Sequence, residues 1–324
     1  MYLNLEGDWT VTLTTKEGTQ KGKVSLPGII QAQGYGEKIT KQTSWVSSLH
    51  DAEWWEREEY RYAQEDGCRI PFLSQPPRHF LGKVLYEREI EIKEEDSDTW
   101  YLYIEVTHWR TKVSVDGMQT GEDCSVCTAH RLDCGRLTRG IHTIQVEVDN
   151  SMQYPYRPDG HGVSDALGAT WNGMAGEIAL FTQDVWEKRI RDRKQYAKEH
   201  IRRIRIENGR FIVDGRKEYF RGTHFGGEYP LTGYPVTDKA WWRDKFAIMK
   251  KWGLNFMRCH SYCPPEAAFA AADEMGIYLQ PECGMWNHFE ENIPMLDVLK
   301  EETRRILEQF GHHPSFVLFS PTNE

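Results

Sequence analysis

Four short segments place polar or ionisable side chains directly after runs of apolar residues: Arg221-Gly222-Thr223-His224, Arg258-Cys259-His260-Ser261-Tyr262, Gln280-Pro281-Glu282 and Ser320-Pro321-Thr322-Asn323-Glu324. Carboxyls, imidazoles, two arginines and an asparagine in company are groups that move protons and hold polar substrates. A carboxyl such as Glu324 donates a proton when neutral and activates water when ionised. Each segment alone has a plainer reading: the polar residue caps the next helix or pairs with a neighbour, Glu282 with Arg258, or His224 as a satisfied core histidine. Four such segments in succession shift the balance towards an active site.

The elements that must position them follow from the spacing of apolar residues. After Gly209, Phe211-Ile212-Val213 and Tyr219-Phe220 flank Asp214-Gly215 as a hairpin. Strand-like and helix-like segments then alternate: residues 220–224, 238–252, 254–260, 265–275, 277–282, 295–311 and 316–320. Thr237-Asp238 and Pro264-Pro265 open helices, and Gly253 and Gly276 close them. This alternation predicts a parallel α/β unit of four βα-type strands with three helices between them. In a parallel barrel the loops at the C-terminal strand ends surround one mouth, where the four polar segments fall.

Residues 1 to about 183 read as β structure. Trp9 to Leu13, Tyr86 to Ile92, Trp100 to Val106, Lys112 to Val115 and Ile141 to Val148 alternate apolar with polar residues, and Asp116-Gly117 is a hairpin signal. Many short strands with turns between them predict a sandwich of jelly-roll type. Residues 50–77, with Trp54 and Trp55, read as an inserted loop. A second loop, Tyr154 to Gly173 with Asp165, Trp171 and Asn172, would reach the barrel mouth as an aromatic platform, against the commoner role of aromatics as sandwich core. Residues 184–208, rich in Lys and Arg, read as a solvated linking strand or short helix, because the run lacks the interleaved aromatics of a nucleic-acid platform.

With 324 residues, 39% apolar and 12% aromatic, the chain builds cores for two domains, and a formal charge of −9 with interspersed signs argues against a nucleic-acid partner. The N-terminus lacks signal-peptide features and no run is apolar enough to span a bilayer, so we expect no membrane partner and a cytoplasmic location. Seven scattered cysteines suit reduced thiols. Cys124, Cys127, His130 and Cys134 have donor types that bind zinc, but their place in a hairpin and its return strand favours buried apolar roles. No glycine-rich phosphate loop follows any predicted strand.

In the β region the stretches LEGDWTVTL, Leu26-Pro27-Gly28, LYEREIEI, YIEVTHWRTKVSVDG, RLTRGIHTIQVEVDN and GMAGEIAL, and in the α/β region Asn255-Phe256-Met257-Arg258 and HHPSFVLFSPTNE, occur in an order that resembles glycoside hydrolase family two, the β-galactosidases, β-glucuronidases and β-mannosidases. The resemblance covers nearly the whole chain. It implies a multidomain β plus α/β protein: a sugar-binding jelly-roll sandwich (1–183), a linker (184–208) and the first four βα-type strands of a (β/α)8 glycosidase barrel (209–324). It further implies retaining hydrolysis of β-glycosides, β-galactosidase-like, with Glu324 as acid/base and Asn323 on the sugar 2-hydroxyl. Arg258 would orient the nucleophilic carboxylate, His224 and His260 would line the terminal-sugar subsite, and Glu282 would meet a hydroxyl or a neighbouring side chain. No metal or organic cofactor is required.

Three departures qualify what is implied. The roughly 27 residues between the two units are too few for the immunoglobulin-like sandwich the family places there. The third-strand Asp-Glu of the family reads Pro281-Glu282, and the histidine of the second strand stands one position early. The family's nucleophile comes from the seventh barrel strand, so we expect these 324 residues to be an inactive piece of a longer enzyme. The rival expectations are a non-catalytic carbohydrate-binding protein and a half-barrel that self-assembles as a homo-oligomer.

Overall fold

A computed structural model of the chain describes residues 1–40, 43–44, 46, 76–94, 98–154, 163, 170–284 and 293–323. Most of the 50–77 insertion, Cys68, Asp165 and Glu324 therefore lie outside the described residues.

The first half is built of eleven strands: β1 (Tyr2–Asn4), β2 (Gly7–Thr15), β3 (Gly18–Leu26), β4 (Gly28–Ile29), β5 (Lys83–Ile92), β6 (Trp100–Thr107), β7 (Arg110–Val115), β8 (Met118–Cys124), β9 (His130–Gly135), β10 (Gly140–Asp149) and β11 (Gly173–Thr182). They form two antiparallel sheets, one ordered β3-β2-β5-β10-β7-β8 and the other β1-β11-β6-β9 with β4 beside β11. Period-2 alternation decides which side chains point inward. Trp9, Val11 and Leu13 of β2 and Ile144, Val146 and Val148 of β10 are buried in a single core with Leu102 and Ile104 of the other sheet. Each such side chain contributes about 1.5–3 kcal/mol of burial. The β7–β8 hairpin turns at Asp116-Gly117, both residues at positive φ (50° and 80°), as the sequence predicts.

Most of the basic run after β11 forms a helix longer than expected. It is α1 (Gln183–His200), eighteen residues with no side chain fully buried. Two of its arginines, four positions apart and so on one face, meet acids of the two halves. Arg189 makes two hydrogen bonds to Glu177 of β11 (2.9 and 2.6 Å), Arg193 lies 3.6 Å from Glu266, and Tyr196 donates to Asp273 (3.1 Å). The span read as a linker also contains a strand, β12 (Ile204–Glu207), which turns at Asn208-Gly209 into β13 (Arg210–Val213) and continues at Asp214-Gly215 into β14 (Arg216–Glu218).

A parallel sheet follows: β15 (Gly222–Phe225), β16 (Phe256–Cys259) and β17 (Tyr278–Gln280), with α2 (Lys239–Lys251) and α3 (Glu266–Met275) as crossovers and α4 (Ile293–Phe310) after β17. Asp238 caps α2 by accepting from the amide of Ala240, and Gly276 closes α3 in the left-handed conformation. Residues 316–320, expected as a fourth strand, join β17 through isolated parallel bridges at Leu279–Phe316 and Glu282–Ser320 rather than a continuous ladder. Met257, Cys259 and Leu279 turn outward and pack with Phe246, Phe269, Ile306 and Phe310 of the helices. α4 is tied to the turn between β8 and β9: Arg305 makes two hydrogen bonds to Asp123 (2.7 and 2.9 Å), and Ser125 donates to Glu302 (3.0 Å). No helix among the described residues is long and apolar enough to cross a membrane.

Candidate active site

Parallel pairing aligns residues 34 and 22 positions apart in sequence: His224 stands opposite Arg258, and Arg258 opposite Gln280. Their neighbours two positions back, Gly222, Phe256 and Tyr278, share the same face. Phe220 stacks on Phe256 (5.1 Å between ring centroids) and packs on Tyr278 (5.0 Å), forming an aromatic floor. Gly222 makes room for it, since a Cβ there would lie 2.6 Å from the Phe256 ring. Above the floor opens a groove of about 640 Å³ lined by Phe220, Gly222, Thr223, His224, Phe256, Arg258, Gln280 and Leu318.

At the strand ends Glu282 is wholly buried, at 0% exposure, which obliges its carboxylate to be paired. Oε1 accepts from Arg258 Nε (2.6 Å) and, more weakly, from Gln280 Nε2 (3.4 Å). Oε2 accepts from Arg258 Nη2 (3.2 Å) and from the amide of Ser261 (2.8 Å). Ser261 reaches this position in the left-handed region, at φ 48°, and the Glu282 amide returns a bond to Tyr262 O (3.0 Å). Arg258 Nη2 also donates to Asn323 Oδ1 (2.7 Å). One guanidinium thus joins the ends of β16 and β17 and the segment that carries Asn323, while 37% of its side chain stays open.

His260 stands beside this group, its ring 5.8 Å from that of His224. Burial, then the Arg258 charge, lowers its pKa against the opposing pull of Glu282 and a hydrogen bond with Asn323, so the ring is neutral at neutral pH. A neutral imidazole both donates and accepts, as a sugar hydroxyl requires.

Five residues singled out in sequence therefore converge: His224, Arg258, His260, Glu282 and Asn323. Glu282 takes its plainer reading, the partner of Arg258, because a buried carboxylate with four donors has no acceptor capacity to spare. His224 does not take its plainer reading; it is exposed rather than a core histidine. Trp171 does not join the groove. It is 5% exposed, packs against His108 (5.7 Å) and Tyr234 (6.2 Å), and lines a small cavity of about 50 Å³ with Tyr229 and Tyr262. Gln280 and Ser261 stand in the polar segments marked in sequence, but no role was assigned to either. Gln280 was findable as the residue two before Glu282 on one strand; the Ser261 amide carries no side-chain signal. Glu324 lies outside the described residues.

The cysteine-histidine cluster sits among partners within the sandwich. His130 is buried, with Nδ1 2.7 Å from Thr111 Oγ1 and Nε2 3.2 Å from Ser125 O, and Cys134 points its thiol at Leu132 O. Both ring nitrogens are already used inside the sandwich.

The fold and groove define an antiparallel β unit joined to a parallel α/β unit of barrel type, with an arginine-carboxylate pair at its strand ends. Residues 204–324 match the sequence model of "Glycosyl hydrolases family 2, TIM barrel domain". The chain is 27% identical to a β-galactosidase of Lactococcus lactis over 176 residues, 47% of this chain and 18% of that one. A β-glucuronidase from Ruminococcus gnavus shares its fold over 100% of this chain and 66% of its own, with a TM-score of 0.68 at 14% identity. A family-two β-galacturonidase from Eisenbergiella tayi covers 98% of this chain and 64% of its own, with a TM-score of 0.63 at 14% identity. The barrel-domain match covers only the second half of the chain, so the chain as a whole is similar to these glycoside hydrolases, and it spans less than two thirds of the length of each of them.

Proposed function

We propose that the chain carries part of a retaining β-glycoside hydrolase, the β1–β11 sandwich being its sugar-binding jelly roll and the parallel sheet the first half of its catalytic barrel. The observation that carries this reading is the Arg258 guanidinium held between Glu282 and Asn323 at the strand ends, beside an open groove. Glu282 holds the arginine in plane. Arg258 in turn orients an attacking carboxylate, and His224 and His260 meet hydroxyls of the terminal sugar. Glu324, adjacent to Asn323 in the chain, protonates the departing oxygen and then deprotonates water.

A retaining mechanism needs a second carboxyl about 5–5.5 Å from the acid/base. Glu282 cannot attack while it is buried and hydrogen-bonded to Arg258, so we assign the nucleophile to a segment outside these 324 residues. The relatives' names direct the substrate panel to aryl β-galactosides, β-glucuronides and β-galacturonides.

Two assays test the reading. The 324-residue chain alone should turn over none of the panel, and turnover abolished by Glu324→Gln would overturn the assignment of the nucleophile. In the longer polypeptide, Glu324→Gln should slow substrates with poor leaving groups by about 10²–10⁴-fold and highly acidic phenol leaving groups far less, because the latter leave without a proton. The comparison is made in kcat/KM, which excludes the shared water-attack step, and equal losses there across leaving groups would rule out Glu324 as the acid.

A further inference from the structure

Away from the groove, α3 and the turn after α4 gather donors that the glycosidase reading does not use. His313 is buried between two carboxylates, with Nδ1 2.6 Å from Asp273 Oδ2 and Nε2 2.7 Å from Glu266 Oε1. Asp273 also accepts from the Ser315 amide (2.9 Å) and from Tyr196, which keeps it in place as the acceptor of the Nδ1 proton. On the other side of the ring, Nε2 faces the Glu266 carboxylate. Two electron-rich atoms at this distance require a positive centre between them, either a proton or a metal ion.

His312 separates the two cases. Its ring lies 4.0 Å from that of His313, and its Nε2 is 3.6 Å from the same Glu266 oxygen. Its Nδ1 is buried without a hydrogen-bond partner, as is Glu266 Oε2, where Arg193 comes no closer than 3.6 Å. A proton on His313 leaves His312 without a task. A metal ion uses it, since the ligand atoms of Glu266, His312 and His313 all lie within 4.8 Å of one another. Bonds of about 2.0–2.2 Å to a tetrahedral ion require neighbouring ligands about 3.3–3.5 Å apart, which small side-chain movements reach.

We propose that Glu266, His312 and His313 form a zinc-binding site, with Asp273 as the carboxylate that orients His313 and solvent completing the coordination. Two imidazoles and one carboxylate favour zinc over magnesium or calcium, which take oxygen ligands. A carboxylate behind a ligating histidine is the usual arrangement for holding its tautomer. Glu266 borders an open polar cleft of about 450 Å³ with Glu105, Arg193 and Lys239, through which an ion enters. The bound ion would staple the start of α3 to the turn after α4.

The test is zinc uptake by the EDTA-stripped whole chain at neutral pH, with cobalt(II) as a spectroscopic substitute. One ion per chain is expected, with four-coordinate visible absorption for cobalt and a zinc-dependent rise in thermal midpoint. His312→Ala should weaken binding about tenfold or more and remove that rise, with the metal-free midpoint unchanged; His312→Asn serves if the alanine variant fails to fold. Failure of the parent chain to take up zinc overturns the proposal, since the Glu266–His313 pair is then held by a proton. Equal zinc retention by the His312 variant also overturns it, since the ligands then lie elsewhere.

Discussion

Arg258 holds Glu282 through two hydrogen bonds, 2.6 Å from Nε and 3.2 Å from Nη2, and the same Nη2 reaches Asn323 at 2.7 Å. The pair is asymmetric: Glu282 is inaccessible, while Arg258 retains an open side.

Removing the arginine should therefore cost more than an exposed ion pair is worth. Arg258→Ala leaves a buried carboxylate facing chiefly the Ser261 amide, and a destabilisation of about 2–4 kcal/mol is expected. Adding Glu282→Gln should recover part of it, because the uncompensated charge is gone while the amide oxygen still accepts from Ser261. Urea unfolding of the single and double variants measures both; an unchanged midpoint for Arg258→Ala would show that the pair contributes nothing.

Acid should weaken the sandwich through two buried histidines. Burial, aided by the neighbouring His130, pushes the His108 pKa down to about 3, and burial pushes that of His130 to about 4. Between these values and the ordinary 6.5, the unfolded chain binds protons that the folded chain refuses, so stability rises with pH through that window and is fully present above 6.5. At pH 5 each histidine should cost of the order of 2 kcal/mol. His108→Phe should flatten the dependence by its own share; denaturant midpoints of both proteins at pH 5 and 7 that move in parallel would contradict this.

Gly173 should not tolerate a side chain. It pairs with Ile29 across β11 and β4, and a Cβ there would press on the Gly28 carbonyl and come 2.8 Å from Ile29 Cα. The two nearest atoms are backbone of β4 and cannot swing aside, so Gly173→Ala should cost about 2 kcal/mol or more, read as a lowered thermal midpoint.

The union of the sandwich with α4 is measurable at one pair. Arg305 and Asp123 are each 17% exposed and joined by two hydrogen bonds, with Thr128 accepting from the same guanidinium at 3.0 Å. A double-mutant cycle to alanine should give a coupling of about 1–3 kcal/mol. A coupling near zero would mean that this pair contributes nothing to holding α4 on the sandwich.

Local patterning determined the β-then-α/β order, the hairpins at Asp116-Gly117 and Asp214-Gly215, the caps of α2 and α3, and the inward face of each strand. These depend on residues a few positions apart: alternation, positive φ at glycine, and a carboxylate two residues before an amide. The same patterning marked His224, Arg258, Glu282 and Asn323, because polar residues after apolar strands stand out in one dimension. Their partners were decided only in three dimensions. Parallel pairing sets strands side by side across intervening helices, and it is this register that lays Arg258 against Glu282, 24 residues on, and Asn323, 65 residues on. The basic run from 184 to 208 was misjudged for a related reason: Arg189 and Arg193 look solvated until Glu177 and Glu266 are folded against them. Trp171 was uncertain because an aromatic residue carries no mark of the surface it will cover, and only packing against His108 and Tyr234 placed it. The Glu266, Asp273, His312 and His313 cluster escaped the sequence because its donors lie about forty residues apart and meet only when the turn after α4 closes onto α3.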